Sequence, residues 1–303
     1  MNKDIFSGIE YLGFDNASEI NIFSDKKQET EKKVDSEKMK LHNLLVSSLY
    51  EKEVRCPVCG CIIKTKVVKS SSTRILSKDS DFFLRYGDIN PYFYDIWLCN
   101  VCGYAATKTD FERIRDSDAE IIQKSISVKW HGKAYPEYFD VNIAIERYKL
   151  SLLNYCIINA KLSKKAMNCL KIAWMYRLIN DNENEQLFLN EAVEGFTKAY
   201  SSENFPIYSM DKFTVLYLIG DLSRRCGKTD DASSYFSKVI VDPTCPQKIK
   251  ELAKDQRELM KMDAKKAEED SLDEENQLDE DTTDTTSTKK ESIFSKLFKK
   301  SLT

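Results

Sequence analysis

A chain of 303 residues, 42% hydrophobic and 31% charged, is long enough for two ordinary domains and too apolar to be wholly disordered. Its formal net charge of -3 excludes wholesale electrostatic attraction to nucleic acid, while leaving room for a local basic face. No run approaches the roughly 20 apolar residues of a membrane-spanning helix, and residues 1–8 lack the features of a secretory signal, so cytoplasmic residence is expected.

Residues 1–50 read as a partly flexible N-terminal segment. It holds an apolar-containing stretch from Ile5 to Phe23 and a charged one from Asp25 to Lys40. Lys38 to Tyr50 suits either one amphipathic helix or an extended lead into the region beyond it, and periodicity does not decide between them.

Residues 51–110 change texture. Short β-branched and aromatic runs, Ile62 to Val68 and Tyr92 to Leu98, are separated by turn-forming residues and read as strands. They are framed by two knuckles, Cys56-Pro-Val-Cys59-Gly60 and Cys99-Asn-Val-Cys102-Gly103. A two-residue gap lets both thiolates of a knuckle reach one ion, and four thiolates complete the tetrahedral shell of zinc. Cys56, Cys59, Cys99 and Cys102 are therefore expected to hold one structural Zn2+, with no position left for a catalytic water. Gly60 and Gly103 allow the tight turn that faces backbone amides toward the sulfurs.

Cys61 is a spare thiol expected to be a bystander. Cys156, Cys169 and Cys226 fall in helical patterns and are expected to be buried. In a reducing compartment nine cysteines fit metal ligation and core packing better than disulfides. A redox dithiol pair is the rival reading of the knuckles.

Catalytic machinery is thin. His42 and His131 are the only histidines, no phosphate loop or nucleophile elbow is present, and Asp79, Asp81, Asp88 and Asp95 are expected to cap turns or pair with cations. The chain is not expected to be an enzyme. A candidate basic surface is formed by Lys64, Lys66, Lys69, Arg74 and Lys78, but Lys52 to Lys108 holds nine Lys/Arg against five Asp/Glu, a small excess for a phosphate footprint.

Residues 111–262 carry a helical pattern broken at Tyr135-Pro136, Asn180 to Asn184, Phe205-Pro206 and Asp242-Pro243. Ala192, Phe196 and Ala199 recur 40 residues later as Ala232, Phe236 and Val239, with Ala144, Tyr148 and Ser151 as a weaker echo. Together with Gly220 these positions resemble the small–large alternation of a tetratricopeptide repeat. An irregular bundle that happens to use Ala and Phe is the alternative. Residues 263–288 read as an acidic disordered linker, with ten acidic and no basic side chains from 268 to 284. Residues 289–303 form a short basic amphipathic tail, suited to an anionic membrane surface, a partner groove or plain solubilisation.

The expected architecture is α+β and mainly α: a small β-rich zinc ribbon followed by tetratricopeptide-like helical hairpins. Around the knuckles, Asp79-Ser-Asp-Phe-Phe, Arg85-Tyr and Ile89-Asn-Pro-Tyr-Phe-Tyr-Asp-Ile-Trp, then Tyr135-Pro-Glu and Ala144-Ile-Glu-Arg-Tyr-Lys-Leu, resemble the bacterial domain of unknown function 2225 over roughly residues 50 to 240. That resemblance implies the fold and the four cysteine ligands, and no activity. The expected role is a zinc-binding protein-interaction scaffold with a protein or peptide in the helical groove. Nucleic-acid binding or regulation through the ribbon is the alternative, and a thiol redox role stands behind both.

Overall fold

The structure is a computed structural model that describes residues 39–280. The chain divides into two compact units, Met1–Glu185 and Gln186–Thr303. Among the described residues, no helix is long and apolar enough to cross a membrane.

The first unit opens with a helix, α1, over residues 39–47, which settles the N-terminal ambiguity in favour of a helix running almost directly into a strand. Three antiparallel hairpins come next: β1 (Leu49–Arg55) with β2 (Ile62–Val68), β3 (Ile75–Lys78) with β4 (Leu84–Tyr86), and β5 (Ile96–Leu98) with β6 (Ala105–Thr107). In β2 the alternation of the sequence is visible, since Ile63 and Thr65 are buried while Ile62 and Lys64 are exposed. All three residues of β5 are buried.

The expected strand from Tyr92 to Leu98 is only partly formed. Pro91–Tyr94 is a 3-10 turn, because Asn90 caps it by accepting the Tyr92 N–H at 3.0 Å and Pro91 presets its first residue, leaving three residues for β5.

Helix α2 (Asp116–Ile122) continues into a π-helical turn, Gln123–Ser127, and a loop leads to the antiparallel pair α3 (Val141–Ile157) and α4 (Leu162–Leu178). Asp140 starts α3 by accepting the Ile143 N–H at 2.8 Å. The pair is stitched by Asn168 Nδ2 donating to Ser151 Oγ at 2.9 Å.

The hairpin β5–β6 is strapped to α3. The Arg147 guanidinium donates to the Ile96 carbonyl at 2.7 Å, and the Tyr155 hydroxyl accepts the Thr107 N–H at 3.2 Å. Hairpins and first helical pair thus share a core. The compact units divide at 185/186, and Trp97, Phe111, Ile122 and Tyr155, from both sides of the 110/111 border read from composition, pack in one buried cluster.

Helix α5 (Asn182–Ser202) carries the chain into the second unit, which continues with α6 (Lys212–Arg225), α7 (Thr229–Val241) and α8 (Gln247–Glu280). Ala192, Phe196, Ala199, Ala232 and Phe236 are all fully buried there. Gly220 of α6 lies under the Phe236 ring so closely that an added Cβ would stand 2.9 Å from it, which is the small-against-large contact the sequence suggested.

Helix α8 runs to Glu280, through the first part of the linker expected over 263–288, and residues 281–288 lie outside the described residues. The stretch is rich in Ala, Glu, Lys and Leu, with Lys265 and Lys266 each four residues before a carboxylate, and that composition favours helix in spite of its net charge. The basic tail 289–303 lies outside the described residues.

Candidate metal centre

The turns joining β1 to β2 and β5 to β6 are built alike. In each, the first cysteine donates its N–H to the carbonyl five residues on: Cys56 to Cys61 and Cys99 to Tyr104, both at 2.8 Å. The glycine then donates back to that cysteine's carbonyl, Gly60 to Cys56 at 2.9 Å and Gly103 to Cys99 at 2.8 Å. Closing so short a loop requires the left-handed region at the glycine, and Gly60 and Gly103 have φ of +76° and +75°. Two identical turns from two distant segments point four thiols at one place.

Cys56 Sγ lies 3.6 Å from Cys102 Sγ, and Cys59 Sγ lies 3.6 Å from Cys99 Sγ. All four sulfurs fall within 4.8 Å of one another. A tetrahedral ion with metal–sulfur bonds of about 2.3 Å requires sulfur–sulfur edges of about 3.8 Å, so the cage has the size of a four-thiolate site. These residues could hold a metal ion. Cys56, Cys99 and Cys102 are buried, and Cys59 is partly exposed.

The proton chemistry fits a cation. Hydrogen bonds from Cys102 and then Cys56, joined by the backbone amides of Cys102 and Val101, hold the Cys99 thiol down to about 2. Cys102 is pushed well up by its hydrogen bonds with Cys56 and Cys99 and by burial. For Cys56 the hydrogen bond with Cys102 acts downward, but the bond with Cys99 and burial outweigh it and lift the thiol to about 12. Crowded thiols thus stabilise one thiolate while their neighbours keep protons as donors. A divalent cation would displace those protons and let all four ionise.

A collar that the sequence did not announce holds both knuckles. The Gln123 side-chain amide donates to the Val58 carbonyl in the first, and Ser127 Oγ donates to the Cys102 carbonyl of the second at 2.9 Å. Both donors come from the π-helical turn after α2, where the altered period aims them at the two turns. Trp130 then covers the second knuckle. Its indole N–H donates to the Asn100 carbonyl at 3.0 Å and its ring lies on Gly103. The Lys133 N–H donates to Asn100 Oδ1 at 2.9 Å, and Asn154 Nδ2 of α3 reaches the Gly103 carbonyl at 3.4 Å.

Cys61 stays outside the four-sulfur group, partly exposed, its thiol pushed up first by the hydrogen bond with Cys59. Cys169 is buried as expected. Cys156 is instead exposed and Cys226 half-buried, because each sits on the outward side or end of its helix.

The lysines read as a basic surface are largely engaged within the fold. Lys64 stands 3.7 Å from Glu51, Lys66 donates to the Pro136 carbonyl at 2.8 Å, Lys69 donates to the Ser47 carbonyl at 2.7 Å, and Lys78 lies over the Phe82 ring at 4.4 Å. Arg74 is exposed.

The acidic residues between the knuckles tie the hairpin region to α4. Fully buried Asp81 accepts from Trp174 Nε1 at 3.0 Å and Arg177 Nη2 at 2.7 Å, while Asp79 pairs with Arg85 at 2.8 Å and Arg177 at 3.0 Å. Asp95 engages Lys171 and accepts the Tyr148 hydroxyl at 3.3 Å. Asp88 is exposed, as is His131, and His42 lies 3.4 Å from the Glu137 carboxylate.

Comparison with known proteins assigns the family. Residues 49–260 match the family described as "Uncharacterized protein conserved in bacteria (DUF2225)". The chain belongs to that family. Its matched span begins at β1 and takes in both knuckles, the collar and every helix from α2 into α8. A curated relative from Borreliella burgdorferi (strain ATCC 35210 / DSM 4680 / CIP 102532 / B31), itself described as "Uncharacterized protein", is 23% identical over 159 residues, covering 46% of this chain and 56% of the relative. The chain thus spans little more than half the length of that relative. No solved structure matches.

Proposed function

We propose that this member of the family is a non-enzymatic scaffold in which one zinc ion locks the ribbon and the helical second unit receives an acidic segment of a partner protein. The observation that carries the reading is the closed cage of four cysteines. Soft thiolates in a tetrahedral set favour zinc, and four protein ligands leave no open coordination position for substrate or water. When bound, the ion would supply folding energy and fix the two knuckles; residues 123–133 hold their backbones in register around it.

Support for the binding role comes from the second unit, whose helices we read as tetratricopeptide-like. A concavity of about 480 Å³ is walled by Tyr200, Phe213, Leu216 and Val241. Val241 is 75% exposed, and Lys212 and Lys238 stand at the same place over the Phe213 and Tyr235 rings at 4.5 and 4.9 Å. Asp242 also lines the concavity but accepts the Thr244 N–H and hydroxyl, at 2.8 and 2.7 Å, so an apolar floor with two cations against one engaged carboxylate suits a segment carrying acidic side chains beside an apolar one.

The test is a Val241→Glu, Lys238→Glu variant of the full chain. Metal content and helicity should be unchanged while a co-purifying protein is lost. A partner recovered equally with this variant would remove the proposed docking place.

A further inference from the structure

A second concavity, in the first unit and outside the cysteine cage, has the character of a small-molecule site. It is a half-open hollow of about 340 Å³, a volume at the small end of the range for ligand cavities. Its apolar wall is formed by Tyr104, Ile114, Tyr155 and Ile158, all at least half-buried.

The charged lining is unbalanced. Four cations, Arg113, Arg115, Lys161 and Lys164, face two carboxylates, Asp110 and Asp118. Both carboxylates are already satisfied from within. Asp110 pairs with Lys164 at 2.9 Å and accepts the Tyr155 hydroxyl at 2.9 Å, and Asp118 receives two N–H groups of Arg115 at 2.8 and 3.1 Å. Arg113 and Lys161 are left without a carboxylate among the described residues. Two unneutralised cations beside an apolar wall make a place for an anion that brings an apolar body with it.

We propose that this concavity binds a small organic anion, with a phosphate or carboxylate head held by Arg113 and Lys161 and an apolar body laid against Ile114, Ile158 and the tyrosine rings. Arg113 offers the planar fork suited to such a head, and Lys161 a compact second charge. The site draws no ligand group from the cysteine cage or from the partner segment proposed above, so with metal load matched its occupancy is tested separately from both.

The full chain would be titrated calorimetrically with phenyl phosphate, benzoate and the neutral analogue phenol, alongside Arg113→Gln, Lys161→Gln and, as a control cation in the other unit, Lys248→Gln. Saturable binding of phenyl phosphate or benzoate with Kd below about 1 mM is expected, and which of the two binds assigns the head group. In the Arg113→Gln, Lys161→Gln double variant, Kd should rise by about tenfold or more, with unfolding by urea unaltered and Lys248→Gln unaffected. No saturation by either anion up to about 10 mM, equal affinity for phenol, or undiminished binding in the double variant would each overturn the assignment.

Discussion

The two knuckle glycines share one backbone conformation and differ in surroundings, so they allow a substitution experiment with an internal control. An added Cβ at Gly60 meets no atom closer than 3.8 Å, whereas at Gly103 it would lie 2.7 to 2.9 Å from three atoms of the Trp130 ring. Gly60→Ala should therefore cost only the left-handed penalty, about 1–2 kcal/mol. Gly103→Ala carries that penalty and must also displace an indole held by its hydrogen bond to the Asn100 carbonyl, adding about 1–3 kcal/mol. The chain's three tryptophans, Trp97, Trp130 and Trp174, all lie in Met1–Glu185, so tryptophan fluorescence in a urea titration reports this unit alone. With metal load matched, the predicted order of destabilisation is Gly103→Ala well above Gly60→Ala. Equal losses would refute the claim that Trp130 clamps the second knuckle.

Elsewhere in the first unit, Arg177→Met should destabilise the fold by about 3–5 kcal/mol, because it removes the cation paired with the fully buried Asp81 carboxylate and leaves that charge to neutral donors such as Trp174 Nε1; a loss under about 1 kcal/mol in the same urea titration would show that the network contributes little. Burial raises the Asp79 carboxyl, but hydrogen bonds from Arg85 and then Arg177 outweigh it and leave the group below its ordinary range. A depressed folded value means that the stabilisation is complete above the unfolded pKa of about 3.9 and is lost as pH falls through the folded one. Asp79→Asn should accordingly flatten the acid limb of the stability–pH profile below about pH 4, and an unchanged limb would contradict the assignment. Gly220→Ala should cost about 1–3 kcal/mol by forcing Phe236 off α6, measured by hydrogen exchange across α6 and α7; protection equal to the parent's would show that the contact has slack.

What could be read from the sequence was local. The knuckles were legible because two residues between cysteines and a glycine after the second fix the turn by themselves, and β2 because its run of β-branched residues is bounded by turn-forming ones. Gly220 and Phe236 were legible because small and large residues recur at helical spacing. Elements set by distant contacts were not. The break between α3 and α4 escaped because it contains neither Gly nor Pro; Asn159 makes the left-handed turn at φ +47°, a role only its short polar side chain hints at. The collar escaped because Gln123, Ser127 and Trp130 gain meaning only when the π-helical turn brings them to knuckles 25 to 65 residues away. The same holds for Asp81 and Arg177, separated by 96 residues, whose pairing explains why acidic residues stand among the aromatics of the ribbon. For the end of α8 the acidic run pointed to a solvated linker, while the Ala, Glu, Lys and Leu content of the same stretch favours the helix that reaches Glu280.

The most direct test of a zinc-locked ribbon is elemental analysis for zinc and iron on untagged, anaerobically purified chain, beside a Cys99→Ser, Cys102→Ser variant. One zinc per chain is predicted, absent from the variant, whose tryptophan-reported unfolding then loses its cooperative transition. Parent protein that carries no metal and presents Cys56, Cys59, Cys99 and Cys102 as free thiols, yet still unfolds in one cooperative transition, would contradict it.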